Sequence, residues 1–500
     1  MSPLSRRSVL AGAPGLLFGQ RHRRPNLLFA IADDQSWLHT SAMGDPVVRT
    51  PAFDRVAQSG VLFRNAFCAA PQCAPARAAL LTGRPIWQLE EAGTHGSLFP
   101  TKFDVFPSLL AAAGYFTGLT GKGAGPCDWR RSGWKHNPAG PDFDRHTVAA
   151  PPKGVAAEDY AANFAAFLAE RPRDKPFCFW FGSHEPHRVY DQGSGRRSGK
   201  RLDQVRVPSF LPDNDIVRGD LLDYFHEIEY FDRQLARCLE ILDKAGELAN
   251  TLVVVTADNG MSFPHAKATL YDHGWHLPLA MAWTGRFKGG RVVDDLVSFT
   301  DFAPTFLEAA GLRPGAAMTG RSLLPLLDSG KSGVVDPTRD KVFAGRERHS
   351  HARFDNLGYP ARAIRTATHL YIRNFKPDRW PAGDPEFFAD IDGGPTKSFM
   401  MEHRGQPAVK PLFDLAFGKR PEEELFDIRA DPGCIRNLAA SGAHAAVRAR
   451  LRSELDRVLS AQGDPRMRGS EIFDSYPRTS AMRPGLGGFN RRGEYNPAYK

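Results

Sequence analysis

Five hundred residues, at about 150 per domain, point to roughly three domains, and a chain this long buries a core without disulfide or metal staples. Hydrophobic residues at 42% and charged residues at 24% exclude an intrinsically disordered or collagen-like chain, and the lack of an uncharged apolar run of about 18 residues excludes a transmembrane helix. The balance of 65 Lys+Arg against 56 Asp+Glu, a net +9, suits an anionic partner, yet no zinc-finger spacing, helix-turn-helix pattern or aromatic RNA-binding signature accompanies it, which argues against nucleic acid.

At the start of the chain, Arg6-Arg7 precede a short apolar run over 9–18. This resembles a bacterial twin-arginine export signal. Residues 1–22 are therefore set apart from the fold, and the mature protein is expected in the periplasm or outside the cell. From residue 23 onward, short apolar runs at 27–32, 116–120, 177–182 and 252–257 fit strands buried on both faces, as in a parallel sheet. Between the last two, Leu222, Phe225, Ile228, Phe231, Leu235, Leu239 and Leu242 repeat every three or four residues, the mark of an amphipathic helix that ends near Gly246. Strands alternating with helices predict a doubly wound α/β domain over 23–355. Beyond it, 363–365 and 370–373 read as a hairpin, 424–428 as another strand and 439–459 as a helix with Ala445, Val447, Leu451, Leu455 and Leu459 on one face. These predict a smaller α+β unit with an antiparallel sheet over 356–462. The Pro/Gly/Arg-rich tail, 463–500, is either disordered or an extended arm lying over the body.

The residues just past each apolar run carry the chemistry. The first run ends in Asp33-Asp34, the second leads to Gly121-Lys122-Gly123, the third to Ser183-His184-Glu185-Pro186-His187 and the fourth to Asp258-Asn259-Gly260. In open α/β sheets ligands bind beyond the carboxyl ends of the strands, so four parallel strands would bring these groups to one crevice. Asp33, Asp34 and Asp258 with the Asn259 amide oxygen make a hard donor set that favours Ca²⁺ or Mg²⁺ over zinc. Taken singly, Asp-Asp suits a solvated turn, and Asp-Asn-Gly suits a turn in which each residue tolerates left-handed backbone.

The six cysteines are sparse, with no CxxC pair, and do not form a disulfide framework. One stands apart. Cys73-Ala74-Pro75-Ala76-Arg77-Ala78-Ala79-Leu80-Leu81-Thr82-Gly83 opens a short helix with Pro75 in its first turn and Gly83 at its end. Cys73 lies at the positive end of that helix, where an anion is favoured.

Cys-x-Pro-x-Arg followed by Leu-Thr-Gly resembles the signature of type I sulfatases. The similarity continues through Asp33-Asp34, Phe63-Arg64-Asn65-Ala66-Phe67, Lys122, His184-Glu185-Pro186-His187, Asp258-Asn259-Gly260 and Lys267 before Tyr271, and closes with Glu424-Leu425-Phe426-Asp427-Ile428 and Asn437-Leu438. Among sulfatases, His184 to Arg188 and the stretch Arg365 to Asn374 are similar to heparan N-sulfatase (sulfamidase)-like members. The resemblance implies an alkaline-phosphatase-like fold, a mixed sheet flanked by helices, with 23–355 as the catalytic domain.

It also implies a mechanism. Cys73 would be oxidised by a separate formylglycine-generating enzyme to Cα-formylglycine, whose hydrate attacks sulfate. Asp33, Asp34, Asp258 and Asn259, together with position 73, would hold one Ca²⁺ ion, with Mg²⁺ second to it. Asp258 would take the hydrate's proton, and Arg77 would fix the hydrate. Lys122 and Lys267 would stabilise charge on the sulfate oxygens, and His184 would act as general acid toward a sulfated carbohydrate or other organosulfate. His187 would be structural.

The family's Lys-x-His reads Lys122-Gly123-Ala124 here, so the histidine that helps expel sulfate is missing, with His273 or His276 as stand-ins. Arg348, His349, His351 and Arg362 fit either a pocket rim or a solvated loop, and Trp37 and Trp87 either a sugar platform or core. The competing readings are a phosphonate monoester or phosphodiester hydrolase of the same superfamily, and a non-catalytic binder of sulfated polysaccharide with unmodified Cys73.

Overall fold

Residue parity in the strands explains the layering. In β1 (Asn26–Ala32) Leu27, Phe29 and Ile31 face one apolar core while Leu28, Ala30 and Ala32 face another, because successive strand side chains point to opposite sides. β4 (Phe177–Gly182) and β5 (Thr251–Ala257) are divided in the same way. The structure is a computed structural model that describes residues 24–479. The expected export segment, 1–22, and the tail beyond 479 lie outside the described residues. No helix among those described is long and apolar enough to cross a membrane.

With β2 (Val61–Phe67), β3 (Phe116–Gly121), β6 (His276–Ala282) and β7 (Arg291–Ser298), these strands form a seven-stranded sheet ordered β3-β4-β1-β5-β6-β2-β7. The four strands expected from sequence are its contiguous parallel half. The sheet is mixed because β6 runs antiparallel to both β5 and β2. Helices Cys73–Thr82 and Phe302–Ala309 contribute to the first core; Pro51–Ser59, Tyr160–Glu170 and the 30-residue helix Asp215–Lys244 cover the other face. On that long helix every apolar residue of the expected repeat is buried. Asn214 caps it, its side-chain oxygen accepting from the amides of Ile216 and Val217.

A second sheet, β8 (Lys341–Arg346), β9 (Ala361–Thr366), β10 (His369–Asn374) and β11 (Glu423–Asp427), is antiparallel and ordered β11-β10-β9-β8. The expected domain boundary near 355 therefore runs through this sheet, since β8 precedes it. No apolar gap marks a division: Ile86 and Trp87 belong to the same core as Ala363, Ile364 and Leu455. The helix covering this sheet, Ala445–Ala461, buries Leu451, Leu455 and Leu459, while Ala445 is exposed at its start. The tail over 463–479 is an ordered arm. Asp464 accepts from the Arg362 guanidinium, both fully buried, and Phe473 packs into the core. Between β10 and β11, helices Pro395–Glu402 and Lys410–Phe417 build a third apolar cluster with Phe210, Leu221 and Phe225. That excursion delivers Asp392 to the carboxyl end of the large sheet, beside Lys267 and Asp34.

Candidate active site

The crevice begins where β1 stops. Asp33 and Asp34 are both buried, and Asp34 adopts left-handed backbone with φ 71°. This conformation, which Asp tolerates better than most residues, turns the chain so that two consecutive carboxylates stay at the strand end. The Asp34 amide donates to Asp258 Oδ1 at 3.1 Å, and Asn259 Nδ2 donates to Asp34 Oδ1 at 2.6 Å. The loops after β1 and β5 are thereby tied together. One ligand atom each from Asp33, Asp34, Asp258 and Cys73 lie within 4.8 Å of one another.

Cys73 opens the helix Cys73–Thr82, whose residues are all buried. Its Sγ lies 3.5 Å from Asp33 Oδ1. One turn on, Arg77 donates through Nε to Asp258 Oδ2 at 2.8 Å and through Nη1 to the carbonyls of Lys122 and Gly123 at 2.7 and 2.9 Å. Its Nη2 is buried without a hydrogen-bond partner among the described residues. Lys122 pairs with Asp33, and Lys267 donates to Asp34 Oδ1 and Oδ2 at 2.7 and 2.5 Å.

After β4, Glu185 anchors the loop. Its carboxylate accepts from the Ala156 amide at 2.8 Å, the Tyr160 hydroxyl at 3.0 Å and Ser183 Oγ at 2.5 Å. His184 and His187 then reach a cleft of about 700 Å³, lined also by Asp33, Lys122, Asn137 and Glu158. That volume suits a ligand of sugar size. His184 Nε2 lies 4.0 Å from Glu158 Oε1. His187 donates through Nδ1 to the Arg188 carbonyl at 2.6 Å, which leaves Nε2 3.8 Å from Asp34 Oδ2.

Electrostatics differ between the two strand ends. Burial raises the Asp33 carboxyl, but Lys122 foremost, then His187, Arg77 and Lys267, hold it well below the usual range. Burial and the Asp33 charge push Asp258 above it. Burial, then Asp33, raise the Cys73 thiol well above its ordinary value, so the unmodified side chain is a neutral thiol and a poor nucleophile. Burial would lower Lys122 and Lys267, yet Asp33 for the first and Asp34 with Asp392 for the second keep both firmly protonated. Burial and then Lys122 lower His184.

This donor set accommodates a hard cation. Three buried carboxylates converge, and among the described residues Asn259 Oδ1 is buried without a hydrogen-bond partner beside them. Hard oxygen donors of this kind suit Ca²⁺.

Several expected groups lie elsewhere. Arg362 is no rim residue: it is fully buried between Glu347 and Asp464. Arg348 is buried and donates to the carbonyls of Tyr476 and Pro477. Trp87 is core, its Nε1 donating to Gln462 Oε1 at 3.0 Å, and Trp37 stacks on His276. His276 is engaged with the Arg64 carbonyl at 2.7 Å, and His273 packs edge-on against Phe210, so both are committed to structural contacts. His351 is buried. Sequence reasoning misses Asp392, whose Oδ2 lies 3.3 Å from Lys267 Nζ and which groups with Asp34 and His187. It sits in a long connection without periodicity, so no local signal marks it.

Residues 25–312 match the family model for sulfatases, and residues 263–369 match that for the C-terminal region of N-sulphoglucosamine sulphohydrolase. An ulvan-active sulfatase of Formosa agariphila is 30% identical over 456 residues, 88% of this chain and 81% of that protein. Human N-sulphoglucosamine sulphohydrolase is 28% identical over 500 residues, 90% of this chain and 93% of that one. A solved structure described as a complex with its substrate D-glucosamine-2-N,6-O-disulfate superposes with a TM-score of 0.65 at 20% identity, covering 88% of this chain and 98% of its own. The phosphonate monoester hydrolase of Agrobacterium radiobacter gives 0.60 at 20% identity, covering 92% and 100%. These two likenesses bear on the fold.

Proposed function

The chain belongs to the sulfatase family of sulfuric ester hydrolases, and from that premise we propose that it removes sulfate from a sulfated glycan, as an O-sulfate ester or an N-sulfate, with one Ca²⁺ ion and a formylglycine made from Cys73. The observation that carries this reading is the convergence of Asp33, Asp34, Asp258 and Cys73 within 4.8 Å at a helix N-terminus, ringed by Arg77, Lys122 and Lys267. Asp33, Asp34, Asp258 and Asn259 would hold the ion. When bound, it supplies a Lewis acid and template, and the modified residue 73 supplies the attacking oxygen.

The chain's own residues do the rest. Lys122 and Lys267 neutralise charge on the sulfate oxygens, where preorganised donors act most strongly. Arg77, fixed by Asp258 and two carbonyls, offers its unpartnered Nη2 to the oxygen at position 73. Asp258 accepts a proton there. His184, at the cleft wall, gives a proton to the leaving oxygen or nitrogen. Both the match over 263–369 and the relatives acting on ulvan and N-sulphoglucosamine support a glycan substrate, with glucosamine N-sulfate the first to try. Export through residues 1–22 and maturation by a formylglycine-generating enzyme belong to the same reading.

The test is mass spectrometry of the peptide spanning Cys73 to Arg77, joined to a panel of sulfate esters, sulfamates and phosphodiesters. Aldehyde at residue 73 with turnover of sulfated sugars is the expected result. Active enzyme carrying only unmodified cysteine would remove the proposed nucleophile, and preference for phosphodiesters would move the substrate class.

A further inference from the structure

Four residues lining the cleft carry side-chain oxygens, Asp33, Asn137, Glu158 and Glu185, and three of them are already engaged. Asp33 is paired with Lys122. Glu185 is buried and accepts from the Ala156 amide and from the Tyr160 and Ser183 hydroxyls. Asn137 Oδ1 accepts from the amides of Ala124 and Ala139 at 3.0 and 3.1 Å, which uses both lone pairs of that oxygen.

Glu158 differs. Its side chain keeps 28% of its exposure, and its Oε1 lies 4.0 Å from His184 Nε2, beyond hydrogen-bond length. Among the described residues no group donates a hydrogen bond to its carboxylate. The main chain nevertheless holds the residue in place. The Val148 amide donates to the Ala157 carbonyl at 2.7 Å and the Asp159 amide to that of His146 at 2.9 Å, so Glu158 sits opposite Thr147 in a short antiparallel bridge. On one side, Ala156 is tied through its amide to Glu185; on the other, Asp159 caps the helix Tyr160–Glu170 by accepting from the Ala162 amide at 3.1 Å. The stem of Glu158 is thus fixed against the loop that carries His184.

A carboxylate only accepts hydrogen bonds, and it repels the sulfate that Lys122 attracts. It therefore suits an O–H donor on the part of the substrate that is not sulfate. The short gap to His184 narrows the choice: a leaving atom in reach of His184 Nε2 brings the hydroxyl on the adjacent sugar carbon within reach of Glu158. We propose that Glu158 is a specificity-determining residue, accepting a hydrogen bond from the hydroxyl next to the sulfated carbon. This rests on the sulfated-glycan reading of the same crevice and adds the contact that tells one sugar from another. A site built to hydrogen-bond a substrate group rejects an analogue that lacks it, because the site's own polar atom is left unpaired.

Binding measured on inactive protein tests it without turnover. The probes are the methyl glycoside of glucosamine N-sulfate, whose one hydroxyl next to the sulfated carbon is at C3, its 3-deoxy analogue and inorganic sulfate. Each is titrated calorimetrically, with Ca²⁺ present, into Cys73→Ala, Cys73→Ala/Glu158→Gln and Cys73→Ala/Glu158→Ala, with thermal midpoints checked alongside. Glu158→Ala should weaken the glycoside by about tenfold or more, the size of a hydrogen bond to a charged group. Glu158→Gln should weaken it less, since its amide oxygen still accepts. The 3-deoxy analogue should bind the parent more weakly than the glycoside does and lose nothing further on substitution. Inorganic sulfate should bind both variants at least as tightly as the parent, because a neighbouring negative charge is gone. Unchanged glycoside affinity overturns the proposal, as does an equal loss for the glycoside and its 3-deoxy analogue, which would make Glu158 a support for His184. Equal affinity of the two sugars for the parent overturns it without any change at position 158, so the test survives a variant that fails to fold. Failure of the parent to bind the glycoside overturns the N-sulfated-glycan reading itself, and Glu158's role with it.

Discussion

Arg77 Nε donates to Asp258 Oδ2 at 2.8 Å, and neither side chain retains any exposure. The pair joins the helix that presents Cys73 to the loop after β5, 181 residues further along the chain. It sets the relative position of the thiol and the carboxylates. Removing one partner leaves an uncompensated buried charge, so Arg77→Ala should cost about 3–5 kcal/mol of stability and abolish turnover. Urea denaturation checks the first part; a midpoint equal to that of the parent protein would show that the pair does not hold the site.

Cation removal should be legible in stability as well as activity. Three carboxylates and an unpartnered amide oxygen are brought together only in the folded chain, so a bound ion stabilises it by mass action, about 2.7 kcal/mol at a hundred times Kd. Exhaustive chelation should lower the thermal midpoint, Ca²⁺ should restore it, and Asp34→Asn should abolish that response. A midpoint indifferent to chelator and Ca²⁺ would contradict the ion site.

His184 should reveal its role through the leaving group. If it supplies the proton, His184→Ala slows release of a sugar alcohol or amine by about a hundred- to ten-thousand-fold, while a nitrophenolate, which departs without a proton, is affected far less. Equal losses on nitrophenyl sulfate and on a sulfated sugar would assign the ring to sulfate binding instead.

Glu227 predicts a pH-dependent stability unrelated to catalysis. It lies on the inner face of the helix Asp215–Lys244 with Oε2 buried and without a hydrogen-bond partner among the described residues. Burial, then Glu185, Asp223 and Asp191, push its carboxyl up to about 9. A carboxyl raised in the folded state stays protonated there while the unfolded chain ionises near its ordinary value of about 4.3. Stability therefore falls as pH rises from that value toward 9, by at most about 1.4 kcal/mol for each step of one in pH. Glu227→Gln should flatten this decline and be the more stable protein at pH 8. Parallel stability curves for the two proteins between pH 5 and 9 would refute it.

The sequence by itself determines the part governed by local pattern. Continuous apolar runs mark β1, β4 and β5 because strands buried on both faces need no polar residue, β3 is the half-exposed edge strand of the same parallel half, and the three-to-four repeat marks the long helix because its inner face meets the sheet. The groups at those strand ends, and the helix that Cys73 opens, are legible for the same reason: the parallel half of the sheet obliges its carboxyl ends to share one edge. β6 is invisible as an antiparallel strand, since direction is set by which neighbour it pairs with, and the pairing of β8 across residue 355 is equally hidden because its partners lie 15 to 25 residues later. Asp392 reaches the crevice through a connection without periodicity, where it pairs with Lys267 beside Asp34 and His187. Only the tertiary structure decides such placements, because the energy that fixes them comes from contacts between segments that sequence order keeps apart.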